Sequence, residues 1–444
     1  MSVAETTGPL TGWGRFPRRD AAQIPIRRPA DVAAALAARG TDALTPRGLG
    51  RSYGDSALGE HVLDLTGLDH LIDFDPDTGT VTCEAGVSLS DLVAVALPRG
   101  WFLPVNPGTR FVTVGGAIAS DVHGKNHHRD GSFADHVSSI RIMVASGEVV
   151  EASRTQLSDL FHATCGGMGL TGVILDATFT LRRVQSRRID ETVLKTPDLA
   201  GALDAFEEHR DVTYSVGWID LIATGARRGR SLVMLGEHAD DGDLGHAEGP
   251  GVAVPVQTPA WLLNRFTVKA FNAAYYARMR GPVTQHRIGY EPFFYPLDRV
   301  AEWNRLYGRP GFVQYQFVAP FAAGRETVHE AVRMISDSGL ASPLAVLKVF
   351  GEGNDSMLGF PQAGYTVAVD LKATSAAFEL CDKLDRRVLA AGGRLYLTKD
   401  ARMSRATFEA SYPRIEEFQQ VRREYGATGV FTSAQAQRLG LDRA

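Results

Sequence analysis

The chain has 444 residues, 44% of them hydrophobic and 22% charged, the composition of a globular protein long enough for roughly two or three cores. A net charge of −4 argues against a sequence-independent nucleic-acid binder, which needs a basic face. Cys83, Cys165 and Cys381 lie far apart with no Cys-x-x-Cys pair, which argues against a disulfide framework or a zinc cluster and suits a reducing compartment.

Along the chain, Met1–Arg15 lacks the apolar stretch of a signal peptide, and no run of roughly eighteen apolar residues occurs to span a bilayer. The expected location is the cytoplasm or the surface of a membrane. Val32–Ala38 reads as helix, with the apolar segment running on to Leu44. Val62–Leu65, Leu71–Phe74 and Thr80–Glu84 read as strands, the last two joined by a turn at Asp75-Pro-Asp-Thr-Gly79. Ser88–Leu97 reads as helix with Ser88 as N-cap and Asp91 at the capping-box position. A hairpin is expected around Ala145-Ser-Gly147, then a helix at Ser158–Thr164 and a strand at Val173–Leu181. Past Arg187, strands are expected at Tyr214–Leu221, Arg230–Leu235, Phe312–Ala319, Ala345–Phe350 and Tyr365–Leu371. Helices are expected at Ala200–His209, Arg325–Ser336 and Ala376–Ala391. His238–Gln257, rich in Gly, Asp and Pro, reads as a loop. The mixture predicts an α+β fold rather than a doubly wound parallel sheet. The segment from Trp261 to Arg280 sets Leu262, Leu263, Phe266, Phe271, Tyr275 and Tyr276 among Arg265, Lys269, Arg278 and Arg280. Such a basic, aromatic stretch suits a membrane surface, or equally a helix or lid packed on its own domain.

Two glycine-rich elements carry the chemistry. The first is Pro46, Arg47, Gly48, Leu49, Gly50, Arg51, Ser52, Tyr53, Gly54, Asp55 and Ser56. Glycines there let successive N–H groups form an anion-binding concavity, with Arg47 and Arg51 adding charge, so the loop is suited to a pyrophosphate. The second runs from Val112 through Thr113, Val114, Gly115, Gly116, Ser120, Asp121, Val122 and His123 to Gly124. Its small residues leave room for a planar group, with His123 at the edge. A metal site at His123, His127, His128 and His136 is the weaker reading, and a surface histidine cluster is the plain alternative for His127 and His128. Gly167-Met-Gly169-Leu-Thr-Gly172 matches the dinucleotide fingerprint in letters, but a helix precedes it and a strand follows, the reverse of the required context.

Taken together, Arg51-Ser-Tyr-Gly-Asp55, Gly108-Thr109, Gly115-Gly116 and His123-Gly124 resemble the PCMH-type FAD-binding domain of the vanillyl-alcohol-oxidase superfamily. Further stretches, among them His123-Gly-Lys-Asn-His-His128, Glu302-Trp-Asn-Arg305, Gln314-Tyr-Gln-Phe317 and Gly392-Gly-Arg-Leu-Tyr396 with Lys399, resemble the decaprenylphosphoryl-β-D-ribose 2′-oxidases of actinobacteria. The likeness runs nearly end to end and is weakest at about 225–285. It implies an FAD domain of two subdomains over 8–186, an α+β substrate domain with an antiparallel sheet over 187–390, and a C-terminal segment, 391–444, returning to the FAD domain. Many relatives carry a histidine, covalently bonded to the flavin, where Asp55 stands, so FAD is expected to bind non-covalently.

The resemblance further implies that residues 46–56, Gly108, Thr113–Gly116, Ser120–His123, Ile174 and Tyr396 line FAD. Lys125, Tyr295, Arg305, Gln314, Gln316 and Lys348 would line the substrate, with Lys399, His123 and Gln316 as the catalytic group. Alcohol oxidation needs a base, and Lys399 serves only with a lowered pKa; by spacing alone it could be a surface lysine beside Asp400. Gln314 and Gln316 would point the same way from one strand, and Arg305 and Lys348 could meet a phosphate. The implied reaction is oxidation of polyprenylphosphoryl-β-D-ribose to a 2-keto intermediate, which an NADH-dependent short-chain reductase converts to the arabinose donor for cell-wall arabinan. The alternative is an oxidase of a soluble polyol or aldonolactone, although the His-Trp-x-Lys motif of those enzymes is absent from Val430-Phe-Thr-Ser-Ala-Gln-Ala436. Ala368 stands where mycobacterial relatives carry the cysteine attacked by nitroaromatic inhibitors, and Thr366 and Val216 replace polar pocket residues.

Overall fold

A computed structural model describes residues 6–245, 252–259, 262–340 and 343–442; Trp261 and part of the expected 238–257 loop lie outside them. The first sheet has the strand order Thr6–Thr11, Arg18–Pro25, His61–Asp64, Leu44–Arg47, the last three parallel to one another. The helix Pro29–Ala38 buries Val32, Ala35 and Leu36, an i, i+3, i+4 stripe, in the same core as Leu44 and Leu63. The chain turns at Gly40, whose φ is +59°, so Leu44 begins a strand instead of ending the helix, as its apolar neighbours suggested.

The second sheet is antiparallel, in the order Leu71–Phe74, Thr80–Glu84, Val173–Thr180, Val137–Met143, Val149–Ser153. The hairpin turns at Gly147, with φ +85°. The helix Leu89–Ala96 starts at Ser88, whose hydroxyl accepts from the Asp91 amide at 3.1 Å.

The third sheet has eight antiparallel strands: Val283–Gly289, Arg188–Thr196, Ser231–His238, Tyr214–Ile219, Ala345–Phe350, Gly364–Lys372, Phe312–Pro320 and Arg394–Leu395. Strand alternation gives it two unlike faces. Val313, Tyr315, Phe317, Val367, Val369 and Leu371 pack in one core with residues of the helices Leu199–Glu208, Phe321–Ser338 and Ser375–Ala390. Gln314, Gln316, Lys348, Thr366, Ala368 and Asp370 stand on the other face, Gln314 opposite Asp370, Gln316 opposite Ala368 and Lys348 opposite Thr366. The fold is α+β. The basic segment forms the helix Arg265–Ala277, which buries Val268 and Asn272 and leaves Phe266 76% and Phe271 51% exposed. Part of the expected loop is ordered, because Val252–Ala253 pairs with Val300–Ala301. Among the described residues no helix is long and apolar enough to cross a membrane.

Candidate active site

Four stretches distant in sequence pack together. A Cβ on Gly48 would overlap the Thr113 side chain, so the loop 46–56 and the turn at 113–116 are in contact. The Gly166 and Met168 amides donate to the Ile118 and Ala119 carbonyls, each at 2.9 Å, and Gly169 lies against Pro46. The Tyr53 amide donates to the Thr398 carbonyl at 3.0 Å, which brings in the segment carrying Lys399. Gly172 leads into the strand Val173–Thr180 after the helix Ser158–Thr164, the order that rules out a Rossmann turn.

Local chemistry explains these turns. Gly50 takes φ +64°, and among the described residues no acceptor meets the backbone N–H of Leu49, Gly50, Arg51 or Ser52, leaving a run of donors for an anion. Thr113 caps the short helix Val114–Ala119 through the Gly116 amide at 3.1 Å, and the Val114 and Gly115 amides are pinned to the Val87 and Ala85 carbonyls. Gly108 has open space where a Cβ would stand. The Arg51 guanidinium lies 4.1 Å from the Trp13 ring centre and 5.6 Å from that of Phe111. Ser120 accepts from the Tyr396 hydroxyl at 2.9 Å, Val122 and Ser56 are buried, and Ile174 is buried opposite Ile142 in the second sheet.

A group of buried polar side chains with half-buried lysines faces this backbone. Gln316 Nε2 donates to His123 Nε2 at 3.0 Å and to Thr366 Oγ1 at 3.3 Å. An accepting Nε2 leaves the proton on Nδ1, and that buried Nδ1 has no hydrogen-bond partner in the protein. Phe350, Phe360 and Tyr396 enclose the ring. Burial, then Lys348, His127 and Lys399, hold the imidazole well below its ordinary value, so it is neutral. Lys399 Nζ sits 3.7 Å from the centre of the Tyr53 ring. Burial lowers Lys399 to about 7, with Asp370 opposing the shift and Lys348 adding to it; burial lowers Lys348 to about 8. Lys125 donates to the Phe293 carbonyl and is lowered by burial to about 7. Gln314, Gln316, Tyr396 and Lys399 line one small cavity.

Some expected residues stand elsewhere. Arg47 donates to the Thr11 and Ala57 carbonyls at 2.8 and 3.0 Å, so its charge is turned into the backbone rather than toward a phosphate. Asp55 is gripped by Arg438 at 2.7 and 3.1 Å. Asp121 accepts from the Ala134 amide and from Asn354, which braces the turn from behind. Arg305 pairs with Glu302 at 3.4 Å and donates to the Val254 and Pro255 carbonyls; its donors hold the neighbouring strand pair instead of joining Lys348. Tyr295 donates to Asn106 and is buried, so its hydroxyl is engaged within the protein. His127 is not on the surface: it is 2% exposed and packs on Phe350, while His128 and His136 bond the Val212 and Asp130 carbonyls. Asp370, fully buried on the site's face, escaped sequence reading. The signal that could have found it is a lone acid alternating with Thr366 and Ala368 in an apolar strand.

A family model described as an FAD binding domain matches residues 25–153. The decaprenylphosphoryl-beta-D-ribose oxidase of Mycolicibacterium smegmatis is 40% identical over 99% of this chain and 100% of its own length. The chain belongs to the decaprenylphosphoryl-β-D-ribose oxidase family. An uncharacterized Streptomyces coelicolor protein is 34% identical over 80% of the chain and all of its own length. The L-gulono-1,4-lactone dehydrogenase of Mycobacterium tuberculosis is 32% identical over 40% of the chain and 42% of its own. This member of the oxidase family is an FAD-dependent oxidoreductase.

The residues present fit the cofactor. The unpaired amides of 49–52 suit a pyrophosphate, the small residues of 113–120 suit a flat ring, and the orphaned Nδ1–H of His123 offers a donor to it. With Asp55 held by Arg438 and no histidine in its place, FAD is expected to be released intact when the protein is denatured. Glycine is required at position 54, since a Cβ there would overlap the Asp400 carbonyl. Gly54→Ala should destabilise by about 1–3 kcal/mol, and the purified variant should carry less flavin per chain by absorbance. A variant with full flavin content would show that this contact can relax.

Proposed function

We propose that this oxidoreductase oxidises the ribose 2′-hydroxyl of polyprenylphosphoryl-β-D-ribose to the 2-keto sugar, the first half of an epimerisation completed by an NADH-dependent short-chain reductase. The observation that carries the reading is the pair of half-buried lysines, Lys348 and Lys399, beside neutral His123, with Lys125 near Lys348 and with Asp370 as the acid that opposes the lowering of Lys399. Oxidising an alcohol removes two electrons and two protons. When bound, FAD supplies the two-electron acceptor. Lys399, lowered to about 7, has a neutral fraction near that pH and takes the hydroxyl proton. Lys348 and Lys125 offer charge to a phosphate. The amide nitrogens of Gln314 and Gln316 already donate within the protein, so their carbonyl oxygens accept from sugar hydroxyls.

The helix Arg265–Ala277 suits delivery of a lipid-borne substrate. It exposes Phe266 and Phe271, and no Asp or Glu occurs from residue 249 to 290, while Arg265, Lys269, Arg278 and Arg280 do. Such a face favours anionic bilayers. The test is anaerobic bleaching of the bound flavin by lipid-phosphate ribose and by free sugar alcohols or aldonolactones. Bleaching by the lipid-linked sugar alone is the expected result, and bleaching by the free compounds alone would overturn it.

Ala368 stands directly opposite Gln316, and the three cysteines are buried in the core, burial raising Cys83 and Cys381 to about 12. Intact mass after turnover with a thiol-directed nitroaromatic should therefore show no adduct on the natural protein and a single adduct on Ala368→Cys. An adduct on the natural protein would place a reactive thiol at the site and contradict this assignment.

A further inference from the structure

Asp370 lies on the active face of the third sheet, opposite Gln314, and is fully buried. Gln314 Nε2 donates to its Oδ1 at 2.6 Å and the Tyr307 hydroxyl to its Oδ2 at 3.1 Å. A buried carboxylate is costly unless hydrogen-bonded and paired with opposite charge. Both oxygens have a neutral donor here, and Lys399, which lines one cavity with Gln314, favours the carboxylate through space. Lys399 is itself confined, its amine resting on the Tyr53 ring, and Tyr53 also lies beside Gln314 and Asp370. The other groups facing this pair are Lys348 from the adjoining strand and neutral His123. Lys372, two residues along the strand, donates to the Leu263 carbonyl.

We propose that Asp370, gripped by Gln314 and Tyr307, is a positioning residue that acts through space on Lys399 and sets the proton affinity of its amine. This rests on the reading of Lys399 as the proton acceptor. Burial drives the two groups in opposite directions, Asp370 up to about 7 and Lys399 down to about 7. Each favours the charged form of the other, and Lys348 works against the ammonium. Removing the carboxylate therefore lowers the proton affinity of Lys399. Removing the Tyr307 hydroxyl weakens the ionised carboxylate and acts in the same direction to a smaller extent.

The experiment is pH-dependent competitive acetylation of the flavin-loaded enzyme. Labelling at Lys399 is read by peptide mass spectrometry against exposed Lys269, in the natural protein, Asp370→Asn and Tyr307→Phe. The acid limb of flavin bleaching by lipid-phosphate ribose is recorded in parallel. The expected result is a Lys399 labelling midpoint lower by about one pH unit in Asp370→Asn, roughly a tenfold gain in reactivity below the midpoint, and a smaller shift of the same sign in Tyr307→Phe. Should Asp370→Asn fail to fold, the sign in Tyr307→Phe decides. An unmoved midpoint in the folded variants overturns the proposal. A labelling midpoint that moves while the acid limb of bleaching stays fixed supports the role of Asp370 and overturns that of Lys399 as the proton acceptor.

Discussion

Lys399→Met will keep FAD bound and slow flavin bleaching by lipid-phosphate ribose by about 10²–10⁴-fold, the range for loss of a positioned acid–base group. Methionine keeps most of the unbranched stem, so the contact with Tyr53 survives while the amine is lost. Of the groups beside it, neither His123 nor Asp370 offers a substitute base. His123 Nε2 already accepts from Gln316, burial pushes the imidazole far below its usual range, and Asp370 is occupied by Gln314 and Tyr307. If the neutral amine is the proton acceptor as proposed, the natural protein should gain activity as pH rises through about 7, the value to which burial lowers Lys399. That rise should be absent from the residual activity of the variant. Near-natural bleaching by Lys399→Met would remove lysine from the chemistry and leave it a charge near the substrate. Stopped-flow absorbance across pH separates these results, since flavin content and bleaching rate are read in one trace.

How far the site could be read from sequence depends on whether its parts are local. The turn at Gly147, the cap at Ser88 and the strands Leu71–Phe74 and Thr80–Glu84 announce themselves through neighbours a few residues away. So do the two glycine elements, whose small residues are useful only where backbone comes close to another surface. The strand Arg188–Thr196 was not legible, because Asp190, Glu191 and Lys195 interrupt its apolar alternation, and Val283–Gly289 is a largely exposed edge strand. Charged side chains were misread for a related reason. A guanidinium in a glycine loop looks available for phosphate, yet Arg47 finds the Thr11 and Ala57 carbonyls, and Arg305 finds those of Val254 and Pro255. Asp370 becomes meaningful only when sheet register sets it opposite Gln314, and Asp55 only when a residue 383 positions away reaches it. Periodicity carries no trace of such pairings.

That distant residue supports the second large effect. Arg438, on the helix Ala434–Leu439, donates to both oxygens of Asp55 at 2.7 and 3.1 Å, to Asp400 at 2.8 Å and to the Met403 carbonyl at 2.6 Å. One guanidinium thus ties the loop 46–56 to the segment holding Lys399, and the carboxylates it joins are 5% and 8% exposed. Arg438→Met leaves both acids buried without their shared cation, a loss of about 3–5 kcal/mol where a buried ion pair is broken from one side. The pH dependence has a definite sign. Burial pushes Asp400 up, but Arg438 with the Arg402 and Met403 amides pulls it below its ordinary value. Its contribution is therefore present above the unfolded carboxylate range and lost as pH falls through the folded value. Protonated acids have less need of Arg438, so the stability gap between natural protein and variant should be widest near neutrality and narrow in acid. Adding Asp55→Asn to Arg438→Met should recover part of the loss by removing one stranded charge, whereas Asp55→Asn alone should destabilise. Urea unfolding at neutral and acidic pH measures all three. Equal midpoints for natural protein and Arg438→Met would show that the two segments are held by their backbone contacts, Tyr53 to Thr398 and Gln435 to Asp55, without help from the ion pair.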